Sequence, residues 1–262
     1  MKKRIISAIA MLIICIPILL LGDFYYVFFC SIVGMMALWE LMRLEKKIPD
    51  SMRFFCYLWC AFLILYRYKE VDFYNAGNFS LIVCMFFFFS ISIIVAGNLH
   101  KYDYKDSMWL LMVTMIVGIM FNSLVKVRFI GIEYTIYCFL VAILTDTFAY
   151  IGGRFLGKKK LSPTISPNKT IAGSIIGSIF GTIFASIYYY FAIGNIEIES
   201  LILLSFALTI LCQCGDLFFS SIKRYYNVKD YSDLIPGHGG ILDRLDSSLF
   251  VILGFLLYNI FM

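Results

Sequence analysis

Charge is what this sequence has least of. Of its 262 residues, 15% are Asp, Glu, Lys or Arg and 61% are hydrophobic, where a soluble domain carries about 25% and about 45–50%. That balance excludes an ordinary soluble globular domain. Histidine is scarce as well, with two in the chain. The eight cysteines do not follow metal-site spacing: Cys56 and Cys60 share one short segment, and Cys212-Gln213-Cys214 is not a zinc pattern. Cys15, Cys30, Cys84, Cys138 and Cys212 lie inside apolar blocks and read as small buried hydrophobes. No G-x-x-x-x-G-K-[ST] motif occurs, which excludes a P-loop. Nor is there an internal repeat or a low-complexity linker.

What is abundant is arranged in blocks. Residues 5–22 and 79–97 contain no charge at all, and an apolar stretch of about 18 or more residues reads as a transmembrane helix. Nine apolar segments follow one another: 5–22, 24–42, 54–66, 79–97, 109–125, 134–153, 173–194, 200–222 and 247–262. The third, FFCYLWCAFLILY, is short and flanked by Arg53 and Arg67. It is either re-entrant or spans with both arginines reaching back to the interface. The first block follows Lys2-Lys3-Arg4 as a secretory signal would, yet no A-x-A-like site follows through Leu21-Gly22-Asp23, so a retained first helix is expected.

Charge bias orients the spans. With the N-terminus in the cytoplasm and all nine segments crossing, 18 of the 22 basic residues fall on the cytoplasmic side. The other side receives Arg67, Lys69, Lys126 and Arg128. This split follows the positive-inside rule and supports the short third span, whose loss would scramble the later loops. The expected fold is therefore all-α: a polytopic membrane protein of about nine transmembrane helices with a cytoplasmic N-terminus. The net charge of +5 then serves orientation and contact with anionic lipid head groups, and no nucleic-acid partner is expected. The lack of a long extramembrane domain or transit peptide favours a bacterial inner membrane.

Two cytoplasmic loops stand out in this greasy background. One is GGRFLGKKKLSPTISPNKTIAG, residues 152–173; the other is KRYYNVKDYSDLIPGHGGILDRLD, residues 223–246. Each is approached by an apolar segment carrying a carboxylate, Asp146 or Asp216. An ionised group there costs about 2.5–3.5 kcal/mol on insertion scales. Its reason is a metal or proton site, or else an interhelical hydrogen bond near the cytoplasmic end. Asp216, Ser220 and Lys223 stand at helical spacing on one face. Asp243 and Asp246 stand one turn apart near the start of the last segment, with Arg244 between them pointing elsewhere. One acidic group in a first turn is an ordinary dipole partner. Gly237, Gly239 and Gly240, beside His238, permit close backbone approach to a ligand, and a glycine-rich loop opening a helix is an anion cradle. Hard oxygen ligands favour Mg²⁺, and Lys and Arg neutralise phosphate charge. The chemistry indicated is metal-assisted phosphoryl or nucleotidyl transfer.

At this point the residues resemble a family. Ser220-Ser221-Ile222-Lys223-Arg224, Lys229-Asp230, Ser232, Ile235-Pro236, His238-Gly239-Gly240-Ile241 and Asp243-Arg244-Leu245-Asp246 together are similar to the phosphatidate cytidylyltransferase signature, spread over 27 residues. Trp39-Glu40-Leu41 with Arg43, the stretch from Asp146 to Gly173, and Gly215-Asp216-Leu217 resemble further family segments. The likeness is dense over 140–250 and thin over 1–135. It implies that CTP and phosphatidate give CDP-diacylglycerol and pyrophosphate, with Mg²⁺ and room for a second cation, in a polytopic homodimer. Residues 1–135 would be supporting transmembrane helices and 136–262 the catalytic region.

The resemblance also implies residue roles. Asp216 and Asp243 would be metal ligands, with Asp146 as a third that replaces a glutamate many relatives carry where this chain has Phe219. Lys223, Arg224, Lys229 and Arg244 would hold phosphates, and Asp246 would orient the site or add a ligand. Ser166, Lys169, Ser220, Gly239 and Gly240 would contact substrate. His238 is left with three roles: a nucleotide contact, a proton donor to pyrophosphate, or a loop staple. The rival readings are a CTP-dependent lipid-alcohol kinase, an ether-lipid cytidylyltransferase of the same fold, and a transporter that uses the carboxylates within its spans. The last leaves the Lys-Arg and Gly-Gly motifs unexplained.

Overall fold

The computed structural model describes residues 2–45, 47–66, 90, 94, 104–194 and 196–261. The expected span at 79–97 lies outside the described residues, apart from Ser90 and Ile94. The described chain is all-α except for one small hairpin. Its helices are α1 (Lys2–Leu21), α2 (Asp23–Met42), α3 (Asp50–Leu65), α4 (Tyr104–Ile130), α5 (Ile132–Leu156), α6 (Ile171–Ala192), α7 (Ile198–Tyr225) and α8 (Leu242–Phe261). Strands β1 (Lys160–Ser162) and β2 (Ser166–Thr170) pair antiparallel between α5 and α6, with Lys160 opposite Thr170 and Ser162 opposite Ser166. Six helices, α2 and α4 to α8, are long and apolar enough to cross a membrane. Large apolar side chains such as Phe24, Phe28, Phe155 and Phe191 are exposed on them, as lipid contact requires.

The chain divides into two compact units, residues 21–126 and residues 1–20 with 127–262. In the first, α2, α3 and α4 pack closely. A Cβ at Gly34 would lie 2.7 Å from Ile64, and one at Gly118 would lie 2.6 Å from Leu63. Asn122 donates to the carbonyls of Ile64 and Tyr66 at 2.9 and 3.0 Å, which satisfies backbone acceptors left open at the end of α3.

In the second unit the tightest seam joins α5 to α6. Gly173, Gly177 and Gly181 form one stripe along α6, and a Cβ at each would come within 2.5–2.7 Å of Ala149 or Thr145 on α5. The small-residue stripe therefore packs helices within the chain. Thr170 caps α6, its hydroxyl accepting from Gly173 N at 3.1 Å. On the other flank Gly215 of α7 seats Asp246 and Phe250 of α8, and Gly254 seats Leu211. Deeper in the bundle, Tyr137 and Ser205 share a 2.7 Å hydrogen bond, and Ser186 donates to Ser205 at 2.9 Å. These bonds tie α5, α6 and α7 where hydrocarbon leaves no water to serve them. Helix α1 is held at both ends. Arg128 donates to Leu19 O at 2.8 Å, and Ser7 donates to Pro236 O at 3.1 Å.

Candidate active site

The hairpin β1–β2 folds back because α5 ends at Gly157, whose backbone N–H returns to Gly153 O. It carries Lys169 over the ends of α5, α6 and α7, and together they enclose a cavity of about 370 Å³. Asp146, Tyr150, Arg154, Lys169, Gln213 and Asp216 are on its walls. Lys169 is ion-paired with Asp216. Ser220, one turn along α7, donates to Asp216 at 3.1 Å, which is the shared face expected from spacing. Asp146 accepts from Ser247 of α8 at 2.9 Å. Gln213 donates to Ser178 at 2.7 Å and to Ser174 O at 3.2 Å, and it accepts from the Ser174 hydroxyl. An amide in an apolar helix is thus fully occupied and fixes this cavity wall.

A second cluster forms where the loop after α7 meets α8. Lys223 donates to Asp243 at 2.7 Å, and both are nearly buried, with side chains 10% and 3% exposed. The other oxygen of Asp243 accepts from Tyr231 N at 2.8 Å and Gly240 N at 2.9 Å. Tyr231 lies under the Lys223 ammonium, 5.3 Å from its ring centre, and donates its hydroxyl to Phe219 O at 2.8 Å. Gly239 has φ +87, and a Cβ there would come 3.1 Å from Asp243, so glycine is needed for this turn. His238 Nδ1 lies 2.7 Å from Ser7 Oγ. Either group can donate in that bond, according to the imidazole tautomer.

The three carboxylates expected to share a metal are not gathered into one group. Among the described residues no three His, Cys, Asp or Glu side chains form such a cluster. Asp146 and Asp216 line one cavity, while the oxygens of Asp243 are engaged by Lys223 and two backbone N–H groups. Two carboxylates on one cavity wall still suit Mg²⁺, which takes one or two and completes its shell with water and substrate phosphates. Asp246 accepts from the Ser247 N–H at 2.8 Å.

Arg224 donates to the carbonyls of Ile165 and Val228, at 3.2 and 3.1 Å, and Arg244 donates to His238 O at 2.8 Å. Both guanidinium groups fasten loops. Ser166 opens β2 and is half-buried, and Lys229 is exposed. Phe219 is fully buried against Phe218, Tyr231 and Phe250. Sequence reading missed Tyr150, Arg154, Ser174 and Gln213. The signal for Gln213 was an amide one turn from Asp216 in an otherwise apolar helix.

Apolar helices that converge on carboxylates, lysines and a glycine-rich turn define a helical membrane protein with a polar site at one end of α5–α8. The whole described chain matches a known family: the model of the cytidylyltransferase family covers residues 2–261. It is 38% identical over 253 residues to the phosphatidate cytidylyltransferase of Staphylococcus haemolyticus, covering 96% of each chain. It is 35% identical to those of Staphylococcus saprophyticus over 256 residues and Staphylococcus aureus over 260 residues, again covering 96% of each. The chain belongs to the cytidylyltransferase family, and its chemistry is nucleotidyl transfer.

Proposed function

We propose that this protein transfers CMP from CTP to phosphatidate, giving CDP-diacylglycerol and pyrophosphate for phospholipid synthesis. The observation that carries the reading is the cavity holding the charged groups Asp146, Asp216 and Lys169 at the end of a membrane-type helix bundle. A lipid phosphate and a nucleotide meet only at such a boundary between apolar and polar surroundings. The names of the relatives supply the substrate.

The lipid phosphate is an anion near neutral pH and needs no strong base. Its oxygen forms a bond to the α-phosphorus of CTP, and the bond from that phosphorus to pyrophosphate breaks. The protein's task is to bring two polyanions together and screen their repulsion. Asp146 and Asp216 would hold Mg²⁺, which when bound offsets phosphate charge. Lys169 supplies positive charge on the same wall. Lys223, Asp243, Gly239 and Gly240 shape the turn that cradles the nucleotide phosphates. Ser7 and Arg244 hold His238 as part of that turn, which favours its role as a loop staple.

The test uses purified protein, phosphatidate, Mg²⁺ and CTP labelled at the α- or the γ-phosphate. The expected product is CDP-diacylglycerol by mass, with the α label on the lipid. A γ label on the lipid identifies a kinase and overturns the proposal, as does the absence of any lipid product.

We place the N-terminus and both loops in the cytoplasm, with nine crossings of the bacterial inner membrane, on the strength of the charge bias. Residues 136–262 would carry catalysis, 1–135 would support it, and the family resemblance favours a homodimer. Nine crossings put the C-terminus outside. Alkaline phosphatase fused after Met262 is therefore expected to be active in whole cells, and an inactive fusion with intact expression contradicts the count.

A further inference from the structure

Of the cations named from sequence, all but Lys229, which is exposed and not on the cavity wall, are already engaged. Lys169 pairs with Asp216, Lys223 pairs with Asp243, and Arg224 and Arg244 donate to backbone carbonyls. Arg154 differs. It stands in the last turn of α5, lines the same cavity as Lys169 and Asp216, and has no hydrogen-bond or ion-pair partner among the described residues. A cation in a last helical turn complements the helix dipole, but that role requires neither a place on a cavity wall nor the neighbours found here.

Those neighbours are apolar and uncovered. Tyr150, one turn earlier and also on the cavity wall, is 68% exposed. Phe155 is 78% exposed, and Ile151 and Leu156 are exposed beside it. On a helix of membrane-spanning length and hydropathy, such side chains are met by acyl chains. The end of α5 thus joins a hydrocarbon-facing surface to the cavity through a guanidinium that is unpaired among the described residues. A guanidinium binds two phosphate oxygens at once through its planar fork. A lipid bearing a phosphate monoester presents both complementary parts, the phosphate at one end and the acyl chains beside it. A nucleotide would satisfy the charge and could stack its base on Tyr150, but it would leave Ile151 and Phe155 without an apolar partner.

We infer that Arg154 anchors the phosphate of the lipid substrate, with its acyl chains lying against Tyr150, Ile151 and Phe155. This deepens the function proposed above and rests on it. It also divides the cavity: Arg154 serves the lipid, and Lys169 with Asp216 serves the side where the nucleotide phosphates react.

The experiment compares wild type with Arg154→Gln and Arg154→Lys in mixed micelles, varying phosphatidate and CTP separately. Loss of a charge-assisted phosphate contact is expected to raise KM for phosphatidate by about 10-fold or more in Arg154→Gln. KM for CTP should stay at the wild-type value. Arg154→Lys should fall between, because an ammonium keeps the charge and loses the fork. An unchanged KM for phosphatidate overturns the assignment, and so does a KM for CTP that rises alone or in step with it. Arg154 is exposed, so both variants are expected to fold, and gel filtration in detergent checks this. A second measurement does not depend on turnover: binding to micelles containing phosphatidate against micelles containing diacylglycerol. Wild type should prefer phosphatidate and Arg154→Gln should lose the preference, while equal preference in both proteins rejects the anchor. Wild type that binds phosphatidate through Arg154 but makes no CDP-diacylglycerol would count against the function proposed above and leave the anchor standing.

Discussion

Asp243→Ala is expected to destabilise the folded protein by about 3–5 kcal/mol, the cost of breaking a buried ion pair from one side. The carboxylate is 3% exposed and its Lys223 partner 10%. Removing it strands the ammonium in a site built from Tyr231 and α8. It also frees the N–H groups of Tyr231 and Gly240, which have Asp243 as their acceptor and cost about 1–3 kcal/mol each if left buried and unpaired. The turn around Gly239 closes on that same carboxylate, so the loop should loosen with it. Asp243→Asn keeps the shape and an acceptor oxygen for the two N–H groups. Its amide nitrogen faces the Lys223 ammonium donor to donor, so it is expected to lose part of the same stability while remaining inserted, and turnover should fall by at least about a hundredfold, the scale of losing a key electrostatic group. Adding Lys223→Met to Asp243→Ala removes the stranded charge and should recover part of the stability without recovering activity. Thermal unfolding in detergent reads the first effect and product formation the second. An Asp243→Ala midpoint equal to wild type would mean that the pair is not holding the loop.

Local spacing made half of this arrangement legible. Asp216 and Ser220 share a face of α7 because they are one turn apart, and the structure joins them. The glycine stripe at 173, 177 and 181 announced close helix packing before its partner α5 was known. Which charge meets which was not legible, because each partner lies on another element. Lys169 reaches Asp216 from a hairpin, and Lys223 reaches Asp243 on α8. Arg224 and Arg244 sit in a phosphate-like motif, yet the nearest acceptors are carbonyls of the loops they close. The hairpin was hidden as well. Its second strand contains Pro167, which lacks an N–H and reads as loop. Phe219 was visible as a departure from the family pattern. Its consequence was not: an aromatic wall behind Tyr231.

Asp216→Asn is expected to lower kcat/KM by about 100–1,000-fold, the range for losing one preorganised electrostatic group, with little change in folding. Its side chain is 23% exposed, so the loss of charge strands nothing in a dry core. Asp216 makes two contacts, with Lys169 and with Ser220, and shares the cavity with Asp146. Two explanations of the loss can be separated. If Asp216 acts only by holding Lys169, then Lys169→Met should match Asp216→Asn, and the double variant should be no worse than either. If Asp216 carries Mg²⁺ together with Asp146, then Asp216→Asn and Asp146→Asn should each raise the Mg²⁺ concentration giving half-maximal activity. Lys169→Met should leave that concentration unchanged, because a cation is not a metal ligand. The second pattern is the expected one, since two carboxylates on one cavity form a donor set that a divalent cation completes with substrate phosphates. A Mg²⁺ requirement identical in wild type and both Asn variants would remove these aspartates from the metal site and leave Lys169 as the group that Asp216 exists to place.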